Sequence, residues 1–300
     1  MSYRMGLDIG GTNIRIAISE ARGEARQYRK LPRERVLTGE DSMQRLAGFL
    51  KEYMQEYKDG QLPEAVVIGF PATVDAARRV ILQAPNIPGL DGLPVVEELE
   101  ALLGIPVYIE KDVNLLFYSD MEDLGLPPEG IGIGIYVGTG IGNAIFYNGM
   151  PLPGKHGVSG ELGHIPRADS KRRCGCGNLG CSECYGSGRR LAEIQKEQFP
   201  DTPIQELFTR HAAEPVLKEF IEEIACTAAA EINILDPEYI VLGGGVLNMQ
   251  DFPLEELKKA IYQHARKPYP AEGLCFYHSK DAEENGVRGA LALGWRKAEE

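Results

Sequence analysis

No stretch of this chain approaches the roughly 20 consecutive apolar residues that a membrane-spanning helix needs, so no membrane is expected as a partner. Long basic runs are missing as well. Lys171-Arg172-Arg173 is short, and 32 basic against 44 acidic residues leave a net charge of −12, which argues against nucleic acid. The first residues lead straight into an apolar strand, without the charged, apolar and cleavage-site succession of a secretory leader. Cysteine is too scarce and too unevenly spread for a disulfide framework. Three of the six lie between positions 174 and 181, Cys184 is adjacent, and Cys226 and Cys275 stand alone in apolar contexts. That usage suits a reducing compartment and metal binding, so a cytoplasmic location is expected. Neither the P-loop nor the dinucleotide fingerprint occurs, so neither of those folds is supported. What remains is ordinary globular composition, 43% hydrophobic and 25% charged over 300 residues, enough for one large domain or two.

The most distinctive stretch runs from Gly160 to Glu183, GELGHIPRADSKRRCGCGNLGCSE. It sets His164 ahead of Cys174, Cys176 and Cys181, a Cys3His set of the kind that holds tetrahedral zinc. Thiolate and imidazole donors favour zinc over magnesium or calcium. Gly175, Gly177 and Gly180 allow the loop to turn between ligands. Glu161 precedes His164 by three residues, so one helical turn would put both on one face. A flexible loop of free thiols is the alternative.

Along the chain, short apolar strands alternate with amphipathic helices, which indicates an α/β architecture. Strands are expected at Tyr3 to Ile9, at the alternating Ile14, Ile16 and Ile18, at Glu64 to Phe70, and at Val107 to Glu110. Helices are expected at Ser42 to Tyr57 and at Pro94 to Leu103, the latter with Pro at its start and Gly104 past its end. The second half reopens with a strand at Ile131 to Val137, a glycine turn, and a returning strand at Asn143 to Tyr147. Val216 to Leu235 reads as the longest helix, followed by a strand at Tyr239 to Leu242 and helices at Phe252 to Arg266 and Asn285 to Lys297. Thr202 to Pro215 reads as a polar loop with a short helical core. A strand, glycine turn and strand thus opens each half, which suggests an internal duplication. Pro127-Pro128-Glu129-Gly130 reads as the boundary between the halves. The expected domains are 1–117 with a C-terminal helix at 285–300, and a larger one at 118–284 that carries the cysteine loop.

Three glycine turns follow strands. Asp8-Ile9-Gly10-Gly11-Thr12 offers unobstructed backbone N–H groups, a hydroxyl, and a carboxylate able to hold Mg²⁺ directly or through water. Gly138-Thr139-Gly140 repeats the offer, and Gly243-Gly244-Gly245 could admit a nucleotide against bare backbone. A Gly-Gly hairpin needs no ligand, but three such turns in one α/β chain point to a nucleotide. Asp112 stands at the carboxyl end of a strand, where α/β sheets place ligands. It could accept the proton of an attacking hydroxyl. A strand-end Asp also commonly caps a helix.

DIGGT, GTGIG, GELGH, CGCGNLGC and LGGGV, spread from residue 8 to about residue 246, together resemble the ROK family of sugar kinases and sugar-responsive repressors. The resemblance implies an actin-like, ribonuclease H-like duplicated two-domain ATPase fold with a cleft, ATP and Mg²⁺, a structural Zn²⁺ and a homodimer. It implies Asp112 as the catalytic base, and Glu161, His164, Glu183 and Asn86 as sugar contacts. The implied zinc ligands are His164, Cys174, Cys176 and Cys181. His164 would then serve zinc with one ring nitrogen and the sugar with the other. Family repressors carry a helix-turn-helix domain ahead of the DIGGT strand, for which this chain leaves no room. That implies a kinase acting on a hexose, with a non-catalytic sugar sensor as the alternative of another class. One departure is Lys111 before Asp112, where the family often has Asn: a donor replaces a bifunctional amide. With GFPA at 69–72, KDVN at 111–114 and HGVSGELGHIP at 156–166, the chain is most similar to the family's bacterial D-allose kinases. Glucokinase, fructokinase or N-acetylmannosamine kinase is the rival within the enzyme class.

Overall fold

The computed structural model describes residues 2–39, 41–168, 171–280 and 282–299. It divides into two compact units. The first comprises Met1–Leu126, Pro153–Ser159 and Ala282–Glu300, the second Pro127–Leu152 and Gly160–Asp281.

The first unit opens with β1 (Arg4–Ile9), β2 (Asn13–Ser19) and β3 (Arg26–Pro32). It continues through α1 (Ser42–Lys58), β4 (Ala65–Phe70), a small hairpin of β5 (Thr73–Val74) and β6 (Ile81–Gln83), α2 (Val95–Leu103), β7 (Val107–Lys111) and α3 (Asp112–Asp123). The second unit contains β8 (Ile131–Val137), β9 (Ile141–Tyr147), β10 (Met150–Pro151), α4 (Glu183–Gly186), α5 (Gly188–Gln198), α6 (Leu207–His211), α7 (Pro215–Leu235), β11 (Tyr239–Gly243), α8 (Leu254–His264) and β12 (Phe276–His278). The chain then returns to the first unit with α9 (Asn285–Arg296). The expected C-terminal helix reached Glu300, which lies outside the described residues.

Each unit is built on a five-stranded sheet of the same order, β3-β2-β1-β4-β7 in the first and β10-β9-β8-β11-β12 in the second. In both, the first three strands form an antiparallel meander and the last two join in parallel. The duplication suggested by the glycine turns is therefore a duplication of sheet topology. The parallel strands are apolar runs because both of their faces are covered; β4 and β11 are buried at every position.

The helices follow from stripe and punctuation. Met43, Leu46, Leu50, Tyr53 and Met54 give α1 one buried face, and Asp59 ends it in the left-handed region at φ 49°. Pro215 sits in the first turn of α7, whose chain ends at Asp236 with φ 47° ahead of Pro237.

The sequence pattern did not show α3. It starts at Asp112 and runs through Asp123. Its buried positions (Asn114, Leu115 and 117–121) leave no polar face to make a stripe. Being one continuous helix, it keeps residues 118–123 with the first unit, so the division falls at 126/127, beside the stretch 127–130, rather than at 117/118; residues 153–159, expected in the larger domain, also join the first unit. α3 and α9 pack on each other at backbone distance: a Cβ on Gly289 would lie 1.7 Å from the carbonyl oxygen of Leu115. Only glycine allows that approach.

Candidate active site and cysteine–histidine centre

The expected site residues fall into two sets, one in each unit. In the first unit, Asp8 is the penultimate residue of β1 and accepts a hydrogen bond from Arg15 Nη1 at 3.1 Å. Burial raises its carboxyl above the usual range, against the pull of Arg15. The Gly10-Gly11-Thr12 turn is closed by the Gly10 N–H donating to the Asn13 carbonyl at 2.8 Å. Asn86 is exposed, with Arg33 Nη1 donating to its carbonyl at 3.0 Å. A Cβ on Gly11 would meet the Asn86 Cβ at 3.9 Å, so that turn and Asn86 adjoin.

Asp112 is the first residue of α3, half-buried, and its Oδ1 accepts the Val113 N–H at 2.8 Å. Burial, reinforced by the Asp8 charge, pushes its carboxyl up to about 7. A carboxylate poised near neutrality is well matched to accept a proton from a substrate hydroxyl. Lys111 does not reach into solvent: it is buried, and its Nζ donates to the Ser159 carbonyl at 3.2 Å.

Sequence reasoning missed the residues that hold the head of α3. Glu110, 3% exposed, accepts the Lys111 N–H and the Asn114 side-chain amide, both at 2.8 Å. Arg78 Nε pairs with the same carboxylate at 3.1 Å while its Nη1 donates to the Gly157 carbonyl at 3.1 Å. A buried charge needs a partner and further hydrogen bonds, and Glu110 has both. The available signal was a carboxylate ending the apolar run Val107–Ile109; its partner Arg78, 32 residues away, carried none.

In the second unit, the short turn Leu162–His164 stacks Glu161 and His164 as the three-residue spacing suggests, with Glu161 Oε2 3.7 Å from His164 Nε2. The other ring nitrogen, Nδ1, faces the cysteines: Cys174 Sγ lies 3.6 Å from it, and Cys176 Sγ is 3.6 Å from Cys181 Sγ. All four donor atoms lie within 4.8 Å of one another. Zinc bonds of about 2.3 Å to sulfur and about 2.0 Å to nitrogen set tetrahedral edges of roughly 3.5–3.8 Å, so the donor set fits zinc in both chemistry and spacing. Cys184 stands outside this set; its Sγ makes a long contact, 3.9 Å, to the Arg173 carbonyl and also interacts with Cys174. Burial raises the Cys174 and Cys181 thiols, whereas the Asn178 backbone N–H lowers Cys176.

Glu183, at the start of α4, accepts from Cys174 Sγ at 3.1 Å and reaches the second glycine turn. A Cβ on Gly140 would be 2.6 Å from its Oε2. That turn also receives the N-terminus of α5, with the Gly188 N–H donating to the Gly138 carbonyl at 2.7 Å and Arg189 N–H to Thr139 at 3.2 Å. Gly243-Gly244-Gly245 crosses the end of β8 so closely that a Cβ on Gly244 would lie 2.6 Å from backbone atoms of Val137. The structure therefore brings together Gly138–Gly140, Glu183, the Glu161–His164 turn and the three cysteines, with the third glycine turn against the same strand end.

The same unit holds a cavity of about 240 Å³ lined by Ile145, Glu161, Leu162, Ile234, Asn143 and Glu231, among others. Burial pushes the Glu231 carboxyl up to about 8, and Asn143 Nδ2 donates to it at 2.9 Å. Nothing in the sequence pattern pointed to this pair.

The family model described as the ROK family matches residues 4–297. The N-acetyl-D-glucosamine kinase of Pasteurella multocida is 32% identical over 308 aligned positions, covering 97% of this chain and 98% of that one. Among solved structures, the ROK hexokinase of Thermus thermophilus superposes with a TM-score of 0.79 at 28% identity over 99% of both chains. The ROK family glucokinase of Streptomyces griseus, solved with glucose and AMPPNP, superposes at 0.76 and 26% identity, covering 97% of this chain and 99% of that one. The paired sheets are the actin-like duplicated fold these relatives share, and the chain belongs to the ROK family.

Proposed function

We propose that the protein is an ATP-dependent hexose kinase that transfers the γ-phosphoryl group to a sugar 6-hydroxyl. The observation that carries this reading is Asp112, whose carboxyl is pushed up to about 7 at the head of α3. Its carboxylate takes the hydroxyl proton as the sugar oxygen bonds to the γ-phosphorus, the bond to the bridging oxygen breaks, and ADP leaves. Phosphoryl transfer relies mainly on positioning and electrostatics. The Arg78–Glu110–Asn114 network supplies the positioning by fixing the first turn of α3. Asn86 and Lys111 on the first unit, and Glu161, His164 and Glu183 on the second, are the proposed sugar contacts. The glycine turns at 10–12, 138–140 and 243–245 are the proposed nucleotide contacts. Magnesium, held by Asp8, would offset the charge of the phosphates. Zinc on His164, Cys174, Cys176 and Cys181 would fix the histidine ring and the loop leading to Glu183.

D-allose is the hexose we favour, on the resemblance of GFPA, KDVN and HGVSGELGHIP. Lys111, where the family often has Asn, supports a departure from glucose: its ammonium can donate but not accept. N-acetyl-D-glucosamine is the second reading, supported by the names of curated relatives 28–32% identical to this chain. An ATP-coupled assay over allose, glucose, mannose, fructose, N-acetylmannosamine and N-acetylglucosamine tests both. Allose should exceed the others in kcat/KM by about tenfold or more, a margin that one well-placed polar contact can supply. Preference for N-acetylglucosamine would replace allose, and ADP release with none of the six would overturn the kinase reading.

A further inference from the structure

In the second unit three further donors converge, sharing no residue with the His164 cluster. Glu222 and Cys226 stand four residues apart on α7 and so share a face. His264 is the last residue of α8. Its Nε2 lies 3.5 Å from Cys226 Sγ and is hydrogen-bonded with Glu222 Oε1. The three donor atoms lie within 4.8 Å of one another, and all three residues are exposed.

The Cys226–His264 separation is already the sulfur–nitrogen edge of a tetrahedral zinc site, about 3.5–3.6 Å for ordinary Zn–S and Zn–N bonds. Glu222 needs only to exchange its imidazole partner for the metal, a motion within its own side chain. The scaffold is independent of these contacts. α7 and α8 pack together, with Ile221, Ile224, Ala225, Leu257 and Ile261 in one apolar cluster. Asn233 further ties the end of α8: its Nδ2 donates to the His264 carbonyl at 3.3 Å and its Oδ1 accepts the Arg266 N–H at 2.7 Å. A thiolate, an imidazole and a carboxylate form a borderline-soft set that selects zinc over magnesium or calcium. Glu222 is the carboxylate available to the metal, since the adjacent Glu223 is paired with Arg167 at 2.7 Å.

We propose that Glu222, Cys226 and His264 form a second zinc site, with three protein donors and one water, that clips α7 to α8. It rests on nothing in the kinase reading. The test is metal protection of a cysteine in the full-length protein, stripped with chelator and then reloaded with zinc ions. Alkylation by iodoacetamide, mapped by peptide mass spectrometry, reads Cys226 directly, and the exposed Cys275 serves as internal control. Zinc at about ten times its dissociation constant should slow Cys226 alkylation by roughly tenfold and leave Cys275 unchanged. His264→Gln and Glu222→Gln should each lose the protection while Cys226 remains present. Because both positions are exposed, unchanged melting curves should show that the variants are folded. Equal Cys226 rates with and without zinc, or full protection in His264→Gln, would overturn the site.

Discussion

β1 and β8 hold the same place in sheets of the same order, yet the chain around their ends carries different chemistry. Around β1 stand hard carboxylates: half-buried Asp8 against Arg15, half-buried Asp112 raised by desolvation and by Asp8, and buried Glu110 against Arg78. Around β8 stand backbone and soft donors: the 138–140 turn receiving α5, and Glu183 touching both that turn and the cysteine–histidine cluster. A sheet topology fixes where strand ends lie and leaves open what they carry. The first unit concentrates carboxylates, one of them paired across 32 residues, and the second a local cluster of soft donors placed by sequence spacing.

That contrast breaks most visibly at the cysteine–histidine cluster, if it holds the proposed zinc. Cys176→Ser should drop the zinc content of the His164 cluster and lower the melting temperature by about 10 °C, the effect of losing a tightly held ligand. Metal analysis and calorimetry read both, and an undiminished zinc content would dissolve the distinction between the units. Next in size is Gly289→Ala in the first unit, where the added carbon has no room against Leu115. We expect about 3 kcal/mol of destabilisation in urea unfolding, whereas Gly175→Ala in the open cysteine loop should stay within about 0.5 kcal/mol.

The smallest effect depends on pH. Glu231 titrates at about 8 in the folded protein, above its ordinary 4.5, because it is buried. A carboxyl raised on folding contributes stability at low pH that is lost as the pH rises through 8. Glu231→Gln removes that loss. Its melting temperature should exceed the parent's by about 2–4 °C at pH 6, by more as the pH rises towards 8, and converge with it near pH 4.5. A constant difference across that range would mean that Glu231 is not held neutral.

The legible parts of the molecule were the local ones. Strand β1, the stripe of α1, the Pro94 and Gly104 boundaries of α2 and the length of α7 all announce themselves through neighbours in sequence. So do the four soft donors, which occupy one loop. β3 was invisible because it is a polar edge strand, Arg26–Pro32 with no fully buried residue, paired only through its backbone to β2. α3 was invisible for the opposite reason, being buried on nearly every side. α5 hides behind the Gly186-Ser187-Gly188 break. In the site, Asp112 could be read as a strand-end carboxylate, but the network around it could not. Arg78 reaches Glu110 across 32 residues, and Asn143 reaches Glu231 across 88. Such pairs follow from topology, which no local pattern encodes.

The central claim is that Asp112 acts on the proton rather than on binding. Its most direct test is Asp112→Asn, with sugar affinity measured by calorimetry and ATP turnover by coupled assay on the same preparation. Turnover should fall by about 10²–10⁴, the usual contribution of a positioned base, while the sugar dissociation constant stays within about threefold of the parent's, less than 1 kcal/mol. Retained turnover, or sugar affinity lost in step with it, would contradict the assignment.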